Sequence, residues 1–373
     1  MKKSLIALAV LAASGAAMAQ SSVTLYGVAD AFLGSTKTNS ATVVNGNQIA
    51  VSDQRQTVVN SSGLNGSRWG LRGTEDLGGG LNALFVLESG FKLDTGASDQ
   101  GGLLFGRQAF VGLNGGFGTV ALGRQYNAYD GVKANFLSAE GNNYTFDSTG
   151  GAQITSANLN AIRAYRAAGA AATAAQATAA AVAFNSNAIG TRIGAWTGYT
   201  TRIDNSISYA TPNVSGFQAK IVYGFGENKT ATTDATKNGS LSLTYANGPI
   251  GAAVAYSDDE PAPGFHVKNT AIGGNYDFGV AQVFLAYNRA KITNIAKQNE
   301  FSVGVKAPIG AVTLVAQYAR SKGDDLGKNT SYGAEALYSL SKRTTAYAAF
   351  NQTKLDTFDI KNNVFGLGLR HTF

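Results

Sequence analysis

The last eleven residues, Asn363-Val364-Phe365-Gly366-Leu367-Gly368-Leu369-Arg370-His371-Thr372-Phe373, constrain the fold more than any other stretch of the chain. In an extended strand Phe365, Leu367, Leu369 and Phe373 share one face, and Gly366, Gly368, Arg370 and Thr372 share the other. Large apolar groups on one side and small or charged groups on the other suit a wall between lipid and water. An ordinary half-buried strand alternates in the same way. Recurrence along the chain separates the two.

The alternation recurs. Residues 23–33 set Val23, Leu25, Ala29, Ala31 and Leu33 against Thr24, Tyr26, Asp30 and Phe32. Residues 65–74 set Trp69 and Leu71 against Arg68 and Arg72, and 81–91 set Leu81, Phe85, Leu87 and Phe91 against Asn82 and Glu88. Segments 240–246, 282–288 and 312–318 repeat the scheme. Segments 103–113 and 117–126 are mixed on both faces, so alternation assigns no side to Arg107 or Arg124.

The connections alternate too. Tight turns fall at 76–80, 114–116, 211–213, 247–249, 276–279, 308–310 and 341–342. Longer polar loops lie between them at 34–64, 93–102, 127–198, 226–238, 258–268, 290–298, 321–330 and 353–361. Seven turns and eight loops link sixteen strands, with both chain ends on the turn side. The expected fold is therefore all-β: a closed 16-stranded antiparallel transmembrane β-barrel, whose closure leaves no unpaired edge in lipid. Element boundaries read from sequence shift by about two to four residues, so fourteen or eighteen strands remain open.

Lys2 and Lys3 precede an apolar stretch and the small residues Ala17-Met18-Ala19, the layout of an export signal over 1–19. Cleavage there removes 19 of 373 residues, leaving a single barrel domain over 20–373, and lowers the formal charge from +7 to +5 by the loss of two lysines. With no Cys, neither disulfides nor thiolate chemistry is available. Charged residues make up only 14%, against about a quarter in a soluble domain. So modest a net charge, with no basic–aromatic cluster, gives no sign of nucleic-acid binding.

The third loop, 127–198, is far longer than a connection requires. Its first half mixes Asp130, Lys133, Glu140 and Asp147 with Phe136, Tyr144 and Phe146; its middle, 157–183, is rich in Ala and suits a helix. The first half is expected to fold into the lumen as a constriction. For the Ala-rich half the sequence gives no preference between the pore and its mouth.

At this point the chain resembles the general porins of Gram-negative bacteria, of the β-proteobacterial type. The resemblance rests on Ser22-Val23-Thr24-Leu25-Tyr26-Gly27, on the run from Ser67 to Leu81 (SRWGLRGTEDLGGGL), on Arg107-Gln108-Ala109-Phe110-Val111-Gly112-Leu113 and on Leu122-Gly123-Arg124-Gln125. Arg202-Ile203-Asp204-Asn205-Ser206-Ile207 and the terminal Phe373 add to it, so it spans nearly the whole mature chain. It implies sixteen strands, a homotrimer in the outer membrane among lipid and lipopolysaccharide, and a constriction formed by the third loop. It also implies recognition of Phe373 and its strand by the outer-membrane assembly machinery. The Ala-rich run is longer than the usual third loop of that family.

The function expected is passive diffusion of small ions and hydrophilic solutes through a charged eyelet, since fixed charge tunes which ion enters a narrow path. Arg68 and Arg72 are the leading wall cations, because an arginine facing lipid near mid-membrane costs roughly 2–4 kcal/mol. Arg107 and Arg124 join them on the resemblance. Asp130, Glu140 and Asp147 are the candidate opposing acids; Glu88 is placed to pair with a wall arginine, and Tyr26 points inward. Arg202 and Asp204 are read as partners of each other. This balance favours a weak anion preference. The alternative is a substrate-specific channel for phosphate or small organic anions.

Catalysis finds no support. His266 and His371 are the only histidines, and no HExxH, Gly-x-Ser-x-Gly or Walker pattern occurs. No cofactor or metal is called for, and Asp258-Asp259-Glu260 reads as a solvated acidic run.

Overall fold

The computed structural model describes residues 22–373 except 47, 141–145, 149–159, 162–163, 166, 186–194, 197–198, 294–295, 324–326 and 357–359. The segment assigned to export, 1–19, lies outside the described residues.

Seventeen strand segments form one antiparallel sheet that closes on itself. They are β1 (Ser22–Val44), β2 (Gln48–Ser61), β3 (Arg68–Gly78), β4 (Leu81–Gly90), β5 (Gln108–Gly115), β6 (Gly118–Tyr126), β7 (Arg202–Ala210), β8 (Phe217–Phe225) and β9 (Lys237–Asn247). The wall continues through β10 (Ile250–Ala262), β11 (Phe265–Asp277), β12 (Gln282–Ile292), β13 (Ala296–Ile309), β14 (Val312–Gly323), β15 (Gly327–Ser339), β16 (Thr344–Leu355) and β17 (Ile360–Thr372). β1 pairs with β3 from Ser22↔Thr74 to Val28↔Arg68 and with β2 from Ala31↔Ser61 to Val44↔Gln48. β2 and β3 therefore share one wall position, and the barrel has sixteen.

The break between them is pinned by Asp30, which is fully buried and accepts from the amides of Gly63 (3.2 Å), Leu64 (2.9 Å) and Asn65 (2.7 Å). Tyr347 donates to the same carboxylate at 2.6 Å. The seam closes as β17 pairs with β1, and Phe373 and Gly27 exchange backbone hydrogen bonds of 2.9 and 3.1 Å.

The core is inverted relative to a soluble protein. Leu25 and Leu33 are 59% and 57% exposed, while Asp30 and Phe32 on the opposite face are buried. In β17 Phe365, Leu367 and Leu369 point outward as the alternation requires. All seven tight turns fall where expected. The loop end differs: 34–64 is mostly a strand hairpin, and β10 and β11 meet through a connection of two residues. These segments are polar, and polarity alone reads as loop. On extended strands beyond the lipid, no apolar face is required.

After β6 the chain enters helix α1 (Ala128–Val132), capped by Asn127, whose side chain accepts from Asp130 N at 2.7 Å. A π turn over Lys133–Leu137 follows. This segment meets the small and polar face of distant strands. Ala128 N donates to Ser240 Oγ in β9 (2.8 Å), and Ala139 N to Gln317 Oε1 in β14 (2.7 Å). Asn351 of β16 donates to Phe146 O (3.0 Å), and the Phe146 ring stands edge-on to Phe32 with centroids 5.3 Å apart. The Ala-rich part forms helix α2 (Ala174–Asn185). Ala181 and Ala183 pack with Ala41 of β1 and Leu355 of β16, which seats this helix against the loop end of the wall.

Candidate functional site

Glu88 in β4 is the hub of a charged group on adjacent wall strands. Its Oε1 accepts from Arg107 Nε at 2.8 Å, and its Oε2 accepts from the Tyr26 hydroxyl at 3.0 Å. Arg68 Nε lies 3.5 Å from the same Oε2 and its Nη1 donates to Gly66 O. Arg72 sits with its Cζ 5.1 Å from the Tyr26 ring centroid, a cation–π distance. Arg68 and Arg72 share one face because they are four residues apart on an extended strand, and Tyr26 meets them through the β1–β3 register, where Tyr26 is paired with Gly70.

Tyr126 extends the group. Its hydroxyl accepts from Arg107 Nη2 at 2.6 Å and from Arg202 Nη2 at 2.8 Å, and Lys220 Nζ donates to its carbonyl at 3.3 Å. Arg107 is only 7% exposed, so its charge is offset by Glu88 and hydrogen bonds rather than by water. Tyr126, Arg202 and Lys220 were not singled out from sequence as members of this strip. They reach it through registers across β6, β7 and β8, which no single strand discloses.

Arg124 belongs to a separate pair. It forms a short ion pair with Asp204 and donates to Gly106 O at 2.8 Å. Arg202 and Asp204 are thus not each other's partners. The register of β6 on β7 shifts between Gly123 and Gln125, and Asn205 opposite adopts φ +45°. This bulge explains why alternation failed for Arg124.

The third-loop acids have local partners. Asp130 accepts from the Tyr199 hydroxyl at 2.8 Å, Asp147 pairs with Lys133 at 2.6 Å, and Glu140 Oε2 accepts from Ser148 N at 2.8 Å and Oγ at 3.0 Å. Burial pushes the Asp130 carboxyl up, against the Tyr199 hydrogen bond and the charges of Lys133, Arg202 and Arg107. Glu140 is raised further, by burial first and then by the charges of Asp147 and Glu335. For Lys133 burial acts downward, but Asp147, Asp130 and Glu140 outweigh it and raise the ammonium.

Among the described residues no cluster of His, Cys, Asp or Glu suits a metal ion. Within the acidic run Asp258 lies 2.7 Å from His266 Nδ1 and 3.1 Å from Lys268 Nζ, while Asp259 is buried and accepts from Thr200 N at 2.9 Å, so the run is not the solvated face expected of it.

A family model described as Gram-negative porin matches residues 5–357. The chain is 32% identical to an outer membrane porin protein of Bordetella pertussis, with 100% of each chain covered. It is 35% identical to outer membrane porin protein 32 of Delftia acidovorans, with 93% of this chain and 88% of that protein covered. A solved structure titled as the anion-selective porin from Comamonas acidovorans superposes with a TM-score of 0.66 at 25% identity, covering 95% of this chain and 100% of that one. Sixteen closed wall positions, a lipid-facing apolar exterior and these similarities together make the chain a member of the Gram-negative porin family, a β-proteobacterial-type outer-membrane porin through which small hydrophilic solutes diffuse without catalysis.

Proposed function

We propose that the first half of loop 127–198 narrows the lumen opposite the arginine strip, and that the resulting eyelet weakly prefers anions. The observation that carries this reading is the assembly of Arg68, Arg72, Arg107, Arg202 and Lys220 around Glu88, Tyr26 and Tyr126. Cations outnumber carboxylates there, while the half-buried Asp130 and the buried Glu140 both have their carboxyls raised. The hydrogen bonds from residues 128–148 to Ser240, Gln317 and Asn351 support an inward course, since these side chains lie on the face opposite the exposed apolar residues. Similarity to a protein titled anion-selective points the same way. Tyr26, Glu88, Arg124 and Asp147 belong to this reading as wall and loop groups that hold the charges in place.

The chain is exported by the signal over 1–19, works as a homotrimer among outer-membrane lipid and lipopolysaccharide, and presents the Phe373 strand to the assembly machinery. Long loops face outward from the cell and tight turns face the periplasm, the arrangement general to such barrels.

Liposome swelling with neutral sugars of increasing size tests the general-diffusion reading. Uptake that falls smoothly with solute size and does not saturate supports it. Exclusion of neutral sugars with saturable uptake of phosphate or organic acids replaces it with the substrate-specific alternative.

A further inference from the structure

The inward glycines of the last strand make room for rings from three other parts of the chain. On β17, Gly368 is paired with Phe32 of β1 on one side and with Tyr347 of β16 on the other, while Gly366 lies between Gly34 and Ala349. Two rings thus flank a floor that carries nothing larger than a methyl group. That floor cannot be filled from the wall: a Cβ at Gly368 would run into Tyr347 Cζ, and one at Gly366 would stand 2.5 Å from Phe32 Cδ2 and 3.2 Å from Phe146 Cζ. The break between β2 and β3 adds a further side, where Leu64 is buried in one cluster with Phe32, Tyr347 and Ala349. Asp30 accepts from the amides of Gly63, Leu64 and Asn65 and from the Tyr347 hydroxyl, so one carboxylate sets both the Leu64 side and the Tyr347 side of this socket.

The occupant of the socket comes from the third loop. Phe146 is fully buried, its ring edge-on to Phe32 with centroids 5.3 Å apart and to Tyr347 at 6.4 Å. In that geometry the positive edge of one ring meets the negative face of another. The Phe146 carbonyl accepts from Asn351 Nδ2 at 3.0 Å. Other large apolar groups of the loop's first half are seated differently. Tyr129, Val132 and Leu137 lie against alanines of β10, β11, β12 and β14. A face of alanines is smooth and lets a side chain slide, whereas a socket closed on its sides fixes a ring in place. The loop therefore rests on two arcs of the wall, and only the arc from β16 to β1 holds it by shape.

We propose that Phe146 sets the aperture of the pore, as a bolt whose socket is Phe32, Leu64, Tyr347 and the glycine floor of β17. The proposal rests on the inward course of loop 127–198 and adds a division of roles to it. The arginine strip sets the sign of the preferred ion, and the Phe146 seat sets the largest solute that passes. A loop held by hydrogen bonds alone exchanges them for bonds to water at small net cost. A buried ring has no such substitute, because leaving the socket exposes it and its two flanking rings to water together. Phe146 is a positioning residue: it touches no solute and acts by holding the segment that narrows the lumen.

The test uses the full-length refolded protein and reads two quantities: liposome swelling with neutral sugars from mono- to tetrasaccharide, and single-channel conductance. Truncating a buried Phe disfavours the seated state by more than about a hundredfold, so Phe146→Ala should move the size limit to larger sugars and raise conductance. Phe146→Leu keeps an apolar plug and should stay near the parent. Gly366→Ala fills the floor from the wall with no change to the loop, and should reproduce the Phe146→Ala behaviour. Should it fail to insert, the two Phe146 variants decide alone, since neither alters the wall. Leu367→Ala, on the outer face of the same strand, should leave the limit unchanged. A parent size limit retained in Phe146→Ala, an equal shift in Phe146→Leu, or an equal shift in Leu367→Ala would each overturn the proposal. Gln317→Ala, which removes a hydrogen-bonding anchor of the loop, tells which reading has failed. If it raises conductance while Phe146→Ala does not, the loop narrows the lumen but is seated elsewhere. If neither does, the inward course of the loop fails as well.

Discussion

Arg107 Nε lies 2.8 Å from Glu88 Oε1, with both residues less than one-tenth exposed. The same carboxylate receives Tyr26 and lies near Arg68. One acid thus gathers two cations, Arg68 and Arg107, and the Tyr26 hydroxyl.

Replacing that acid is the sharpest structural test. Glu88→Gln removes the shared charge and leaves the Arg107 guanidinium buried without it, a change that costs about 3–5 kcal/mol when one member of a buried pair is lost. The folded barrel should unfold at a lower temperature on heating in detergent. The channels that do insert should be more anion-preferring than the parent in a salt gradient.

Asp30 carries a different burden. Asp30→Ala leaves the amides of Gly63, Leu64 and Asn65 without their acceptor, and each unsatisfied buried group costs roughly 1–3 kcal/mol. The break between β2 and β3 should open, seen as faster hydrogen exchange at 62–67 while exchange in β12–β14 stays slow. Tyr347→Phe, which loses one donor to Asp30, should give a smaller change of the same kind.

The barrel was legible because period-two alternation and the alternation of turn and loop lengths are both local signals. Leu25 against Tyr26, or Leu369 against Arg370, reads correctly without any neighbour. The site was legible only in part. Arg68, Arg72, Glu88 and Tyr26 follow from parity within their strands, whereas Arg107 precedes β5 and Arg124 sits beside the Gly123 bulge, where parity stops. Tyr126 and Lys220 are joined through pairings between strands separated by the whole third loop. Ser, Thr and Asn in 34–64 hid a hairpin, since a strand beyond the lipid carries no apolar face to reveal it.

Loop anchoring can be probed without touching a charge. Gln317 Oε1 accepts from Ala139 N at 2.7 Å and from Ser138 Oγ at 3.1 Å, so Gln317→Ala should weaken docking by roughly 1–3 kcal/mol. At Gly333 an added Cβ would stand 1.9 Å from Glu140 Oε1 and 3.1 Å from Phe146 O. Gly333→Ala should therefore displace the Glu140 carboxylate and press on the Phe146 carbonyl. Both variants are expected to raise single-channel conductance and current noise.

Selectivity should depend on pH through the loop acids. Burial raises the Asp130 and Glu140 carboxyls, so the folded loop binds their protons more tightly than an unfolded one. Their contribution to loop packing is complete below the ordinary carboxylate range and is lost as pH rises through the raised values. As pH falls, these groups should neutralise while still above about pH 4, where free carboxyls titrate. The zero-current potential should move toward anions in that window, and a shift confined to lower pH would assign it to exposed acids instead.

The most direct measurement is the zero-current potential of the refolded channel across a potassium chloride gradient in a planar bilayer, repeated with Arg68→Ala/Arg72→Ala. An eyelet field set by the wall arginines predicts an anion-selective potential that collapses in the double variant while conductance persists. A cation-selective parent, or a potential unchanged by the substitutions, would contradict it.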